Sequence, residues 1–474
     1  SQMVPRALLL VLLAPSSALI LPSSALRARP LLPRTPLILS AAAAAADTPK
    51  TPLSVSVLNL SKNIVCGGFL SLPAGVAACA LAPTRSTLLP AGALMALMGL
   101  LSAYCFLLIG RACAMTKAST YRGAWEAATG APGPPVAAAL AAKTGATCLS
   151  YSMILADMSA QLLGLARTPA LLGTTSTLLL PLCLLDTSKT FALLRFSSAL
   201  GLGATAYVVA FMALRCAQRV ASVPALAAGA VAGGAPFGGL SAGCLVYVSM
   251  LATAYMAHYN APKFLAESGG GTDAGVARFG KLVLWAFGIS ALSFFSIATF
   301  GFLTFGAAAS GNVLTNYATT DALASWARGA IALSLLAGYP FAFDNLRESA
   351  LEALKSAGLK LPVRAVSAAL LAALTAAAAA LTDLGFVAAF AGATLGSAII
   401  YVMPSIMFRA AATTKLAALE KGGTWSGADP PTTTRQQVAR LRVEAAAARG
   451  ITVTGLVLMA LGGGVTVMKK LAAA

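Results

Sequence analysis

A chain of 474 residues that is 58% hydrophobic and only 10% charged, with a mean hydropathy of +0.83, is not an ordinary soluble domain, where charged residues make up about 25%. It is a polytopic membrane protein. Its net charge of +19 stands in short loops between apolar segments, where bases orient the chain in the bilayer rather than bind nucleic acid. The single histidine, and the lack of a metal cluster, a serine elbow and paired carboxylates, argue against an enzyme. The eight cysteines show no CxxC or metal spacing and read as small core residues, so no cofactor is called for.

In chain order, residues 1–50 stand apart. Arg6 precedes a short apolar run, Ala7–Leu13, and the first acid is Asp47. That pattern reads as a targeting leader, with a disordered tail as the alternative. The Ala41–Ala46 tract carries no assignable role. From there, windows of roughly twenty apolar residues predict eleven spans, near 54–82, 88–113, 134–165, 168–185, 190–216, 238–260, 280–306, 323–344, 363–382, 384–409 and 449–470. Residues 51–410 then form a ten-helix core, and 411–448 a polar loop whose stretch Gln436–Arg449 predicts an amphipathic helix on the membrane surface. Residues 449–474 hold the eleventh helix. Alternate loops are strongly basic, holding Arg111, Lys117, Arg122, Lys263, Arg278, Lys281, Arg347 and Lys355. This places the N-terminus inside and the C-terminus outside. Neither oligomeric state nor the membrane, plasma or organellar, can be read.

The first span is the most informative. Asn59, Lys62, Asn63, Gly67, Gly68 and Pro73 lie within it. Helix broken inside hydrocarbon is tolerated only where it lines a cavity or is packed in protein, and transporters use such breaks to present backbone groups to a substrate. A kink for close helix packing is the alternative. Lys62 lies far from either end of its span and cannot easily snorkel. Asp157 and His258 are the other intramembrane ionisable groups. Asp157 reads either as a site residue or as the partner of a basic group, and His258 as a site residue or a satisfied core histidine. Asp383 reads as the cap of the tenth span, and Asp344, Arg347 and Glu348 as an interfacial cluster.

Several segments together resemble the amino acid/auxin permease family, nearest its neutral amino acid branch. They are Asn59-Leu60-Ser61 with Val65 to Pro73, Tyr121-Arg122-Gly123-Ala124-Trp125, Leu180-Pro181-Leu182, and Tyr255 to Asn260 with Glu267. Phe300 to Gly306 with Asn312 to Tyr317, Tyr339-Pro340 with Arg347, and Ala391-Gly392-Ala393 with Pro404 complete the set. The resemblance covers roughly residues 53–410. It implies an all-α, LeuT-like five-plus-five inverted repeat with broken helices 1 and 6, plus an eleventh helix. An amino acid substrate would lie between the breaks. Its carboxylate would meet backbone N–H groups at Cys66, Gly67 and Gly68, where a helix N-terminus favours negative charge. Its amino group would face carbonyls near Ala254, Tyr255 and Met256, with Tyr151 and Tyr255 shaping the side-chain pocket.

Two departures bear on coupling. Cys66 replaces the first glycine of the family pattern. Lys62 stands where sodium-coupled members carry an Asn, and the usual hydroxyl of span 8 is missing unless Ser334 supplies it in a shifted register. Lys62, Asn63, Ser334, Asp157 and His258 are therefore the ion-coupling candidates. The expectation is a transporter independent of sodium, coupled to protons or working by exchange. A sodium symporter and an amino acid sensor of the same fold are the competing readings.

Overall fold

The computed structural model describes residues 51–65, 67–81, 84–184, 197–222, 241–356, 358–420 and 434–472, so the leader and Cys66 lie outside the described residues. Among the described residues the regular secondary structure is helical. Helix α1 (Leu53–Ile64) stops, a 3-10 turn (Gly68–Ser71) follows, and α2 (Leu72–Ala78) resumes at an angle of 49°. Helix α3 (Leu88–Thr116) leads to the short α4 (Tyr121–Thr129) and then α5 (Pro134–Leu163). Helices α6 (Arg167–Thr174) and α7 (Leu180–Leu184) are joined through a π-helical turn at Thr175–Leu179. Helix α8 (Ser197–Ser222) precedes a second break, where α9 (Gly243–Ala254) ends and a 3-10 turn at His258–Asn260 opens α10 (Ala261–Glu267). Then come α11 (Asp273–Phe305), α12 (Ala322–Ser356), α13 (Val363–Ala380), α14 (Leu384–Ala391) and α15 (Met403–Glu420). The chain closes with α16 (Thr434–Val457) and α17 (Gly463–Ala472). Among the described residues, six helices are long and apolar enough to cross a membrane singly, and up to eight if each bent pair counts as one span.

Both breaks have visible causes. Gly67 has φ +46° and ψ −44°, a conformation open to glycine and costly for other residues. Pro73 follows in the first turn of α2, a position where its missing N–H costs nothing. At the second break Pro262 plays the same part in α10. The two breaks touch: a side chain on Gly68 would come within 3.6 Å of the Ala254 Cα.

Ion pairs sort the molecule into two faces. On one, Arg111 pairs with Glu444 at 2.7 Å and Arg122 with Glu352 at 3.7 Å, while Arg347 pairs with Asp344. On the other, Arg167 bonds Asp157 at 2.8 Å and the carbonyls of Ala378 and Leu381, Arg215 grips Asp321, and Lys470 reaches Asp383. These are the two groups of loops that the alternation of bases assigns to opposite sides; the first is called the basic face below. Arg347 also donates to the Cys183 carbonyl, so the stretch from Arg167 to Leu184 runs from one face to the other.

The last helix differs from expectation. The stretch Gln436–Arg449 does not form a separate helix along the membrane surface; it belongs to α16 and continues directly into the final span. The reason is packing: Leu441, Ala448 and Ile451 are buried in the core as α16 lies along α15.

The loop between α11 and α12 is held by charge. The Arg328 guanidinium is fully buried and donates to the carbonyls of Leu314, Tyr317 and Ala318 at 3.2, 2.7 and 3.3 Å. Replacement by Met strands those acceptors, so Arg328→Met is expected to cost about 2 kcal/mol, read as a lower melting temperature in detergent. Asp321 adds a pH dependence. Its hydrogen bond from Arg215 is the main cause holding the carboxyl below its ordinary value. A lowered carboxylate contributes stability above its unfolded value, about 3.9, and loses it as pH falls through the folded value. The melting temperature is therefore expected to drop below about pH 4, and Asp321→Asn to start lower at neutral pH and lose less in acid.

Candidate functional site

The first break creates a helix C-terminus in mid-span, and Lys62 lies in its last turn. Free carbonyls and the helix dipole both favour a cation there. The Lys62 side chain crosses toward α8 and α12, where two glycines make room for it. A Cβ on Gly201 would lie 2.9 Å from Lys62 Cε and 3.0 Å from Ser334 Oγ. One on Gly338 would lie 2.9 Å from Lys62 Nζ. An ammonium group is thus seated between helices α1, α8 and α12.

Beside it is a cavity of about 10 Å3 lined by Lys62, Val65, Gly67, Tyr151, Thr205 and Ser334. That is room for about one water-sized particle. Lys62 and Tyr151 also line a second cavity of about 460 Å3, a volume within the range of small-molecule sites. Asn59, Asn63, Lys143, Thr147, Tyr259 and Asn260 form its walls, and Lys263, Glu267, Asp344 and Asn345 its end toward the basic face. Asn63 donates to the Asn59 carbonyl at 2.9 Å and accepts from Asn260 at 3.5 Å, tying the half-helices of the two breaks together.

Several sequence candidates converge here. Lys62, Asn63, Gly67, Tyr151 and Ser334 surround the two cavities, and Gly68 packs on Ala254 beside them. Cys66 lies outside the described residues. Others are placed elsewhere. The Tyr255 ring is fully buried against Phe287 and Phe294, with its hydroxyl 3.5 Å from the Met95 carbonyl. It faces α3 and α11 and lines neither cavity, so only its backbone belongs to the break. Met256 packs toward Gly396 of the tenth span. His258 is fully buried between Phe106 and Phe287, with its Nε2 2.9 Å from the Ser102 carbonyl. Asp157 lies near the opposite face, bonded to Arg167 and Asn312, and Asp383 caps α14 through Phe386 N–H at 3.0 Å.

The sequence reading passed over Lys143. It is buried, donates to Thr147, and its ammonium lies 6.0 Å from the centre of the Tyr259 ring. It stands about as far into its predicted span as Lys62 does into the first. The turn that carries Tyr259, just before α10, lies beside its ammonium.

A helical membrane chain with two touching mid-span breaks and a polar cavity below them has the build of a solute transporter. The comparisons agree: the chain belongs to the transmembrane amino acid transporter protein family, whose model matches residues 50–429. No curated protein matches its sequence. Among solved structures, a manganese transporter of Eremococcus coleocola is similar at 12% identity and a TM-score of 0.44, over 93% of this chain and 100% of the other. A Na+-coupled sialic acid symporter in a substrate-bound outward-open state is similar at 9% identity and a TM-score of 0.40, over 91% of this chain and 97% of the other.

The backbone at the break sets a direct test. Gly67→Ala forces φ +46° on an L residue and brings a Cβ within 3.1 Å of Ile154 and 3.2 Å of Tyr151. The expected cost is about 1–3 kcal/mol, measured by thermal melting, together with loss of ligand binding in the cavity.

Proposed function

We propose that this protein is a secondary active transporter of small, neutral amino acids, working by alternating access without sodium. Eleven spans carry the chain across the bilayer. The first five are α1 with α2, α3, α5, α6 with α7, and α8. The next are α9 with α10, α11, α12, α13, and α14 with α15, and the eleventh is α16 with α17. The breaks then fall in the first helix of each group of five, as an inverted repeat requires. The substrate carboxylate binds the free N–H groups that begin at Gly67 and Gly68, and its ammonium faces the carbonyls around Ala254 to Met256. The cavity of about 460 Å3 reaching toward the basic face is its path on the cytosolic side. The small cavity above it, with room for about one water, is the part of the site that this conformation has closed.

The observation that carries the coupling is the seat of Lys62. A sodium ion needs hard oxygen ligands around a compact space. Here the space at the helix C-terminus is taken by a protein ammonium, packed against the faces of Gly201 and Gly338. A fixed internal cation supplies the charge that an ion would bring. With sodium's place so filled, protons are the coupling ion of this reading, and exchange the mode in their absence.

One observation favours the sodium-coupled alternative: Ser334 contributes to the small cavity, so a hydroxyl is present on the eighth span. Uptake into proteoliposomes separates the two. Labelled neutral amino acids are expected to accumulate under an inward proton gradient, with no increase when sodium is added. Lys62→Met is expected to lower that uptake at least about tenfold while the protein still melts cooperatively, since it removes a charge-assisted interaction. Uptake that requires sodium and saturates with it would establish the alternative.

A further inference from the structure

The tenth and eleventh spans form a hairpin with charged rungs at both ends. At one end Lys470 pairs with Asp383 at 3.2 Å. Near the other, Ser405 of α15 and Thr452 of α16 share a hydrogen bond of 2.8 Å. The next rung of the antiparallel pair, one turn further along each helix, is Arg409 opposite Arg449. Their positive charges act on each other. Among the described residues no carboxylate pairs with either one. The only acid of α16, Glu444, is engaged by Arg111 at 2.7 Å and Arg440 at 3.1 Å. The one acid of α15, Glu420, comes three turns beyond Arg409.

Depth and surroundings say what belongs there. At about 1.5 Å per residue, helix carries the chain roughly 39 Å from Asp383 to Arg409 and roughly 32 Å from Lys470 back to Arg449. The hydrocarbon core is about 30 Å thick, so both arginines stand at headgroup level on the basic face. Beyond Arg449, Val453, Leu456 and Val457 follow at spacings of four, seven and eight, and are 61%, 45% and 46% exposed. Those spacings put them on one stripe below the guanidinium, running from headgroup depth into the hydrocarbon.

We propose that Arg409 and Arg449 form a binding site for an anionic phospholipid, between the tenth and eleventh spans. The phosphate lies between the two guanidinium forks, which match phosphate geometry and whose mutual repulsion it relieves. An acyl chain lies along Val453, Leu456 and Val457. Basic sites between helices on the cytosolic side are a general means of lipid recognition. This site differs from a diffuse basic surface in pairing two unneutralised arginines with an apolar track.

The test uses the full chain, purified and delipidated in a neutral detergent. Thermal melting is followed while phosphatidylglycerol, phosphatidylcholine or inorganic phosphate is added. Phosphatidylglycerol is expected to raise the melting temperature by several degrees, by linkage, and the other two to do little. The double variant R409Q/R449Q is expected to weaken phosphatidylglycerol binding roughly tenfold, while K281Q, an exposed base elsewhere on the basic face, leaves it unchanged. If the double variant does not fold, R449Q alone is compared with the wild type by native mass spectrometry, where loss of the bound anionic lipid is expected. An equal shift with phosphatidylcholine, or an undiminished shift in R409Q/R449Q, overturns the site. An equal shift with inorganic phosphate overturns the lipid as its occupant and leaves a simple anion site.

Discussion

Everything in this molecule follows from the absence of water in the bilayer. A peptide group left without a partner in hydrocarbon costs several kcal/mol, on the order of the net stability of many proteins. Unbroken helix is the cheap answer, and most of the chain adopts it. The two breaks at Gly67 and at Tyr255–Ala257 depart from that answer at matching places, and they do so in contact with each other. Part of the freed backbone bonds locally, as Leu70 N–H does to the Gly67 carbonyl and Ser71 Oγ to the Gly68 carbonyl. On the proposed reading, an amino acid zwitterion meets the rest.

The same constraint explains where the charges went. Several arginines near the faces end on carboxylates or on stranded carbonyls: Arg167 closes the C-terminus of α13, and Arg328 gathers three carbonyls of the loop before α12. The π-helical turns in the tenth span are treated alike. Tyr121, from the short helix on the basic face, donates its hydroxyl to the Ile399 carbonyl at 2.9 Å. Within the middle of the membrane, Lys62 is the exception. It is not drawn to either face but laid between two glycines, beside a space the size of one water. On the proposed reading, its chemistry belongs to the site and not to the scaffold.

Much of this was legible in the sequence. The all-helical membrane character followed from hydropathy, and the first break from the coincidence of Asn, Lys, Gly and Pro in one apolar window. Lys62 and Gly67 stood out because polar or helix-breaking residues inside hydrocarbon are costly, whereas Tyr151 and Ser334 were expected only from the family resemblance. What stayed hidden depends on rotation and depth. The sequence does not say that the Tyr255 ring turns toward Phe287 and Phe294 and leaves only its backbone at the break. Lys143 was passed over, and only the fold shows it beside Tyr259 in the wall of the cavity. The surface helix expected at Gln436–Arg449 failed for a similar reason, since an amphipathic face serves equally to lie on a membrane or to pack on α15. Asp157 carried two readings, and only its approach to Arg167 and Asn312 shows which partners it has.

The most direct measurement is equilibrium binding of a labelled small neutral amino acid to the purified protein in sodium-free buffer, repeated with sodium present and with Lys62→Asn. Saturable binding to the wild type that sodium leaves unchanged, and that Lys62→Asn abolishes, is the predicted result, because the internal ammonium stands in for the ion. Binding that appears only when sodium is added, or that survives the loss of the lysine, would contradict it.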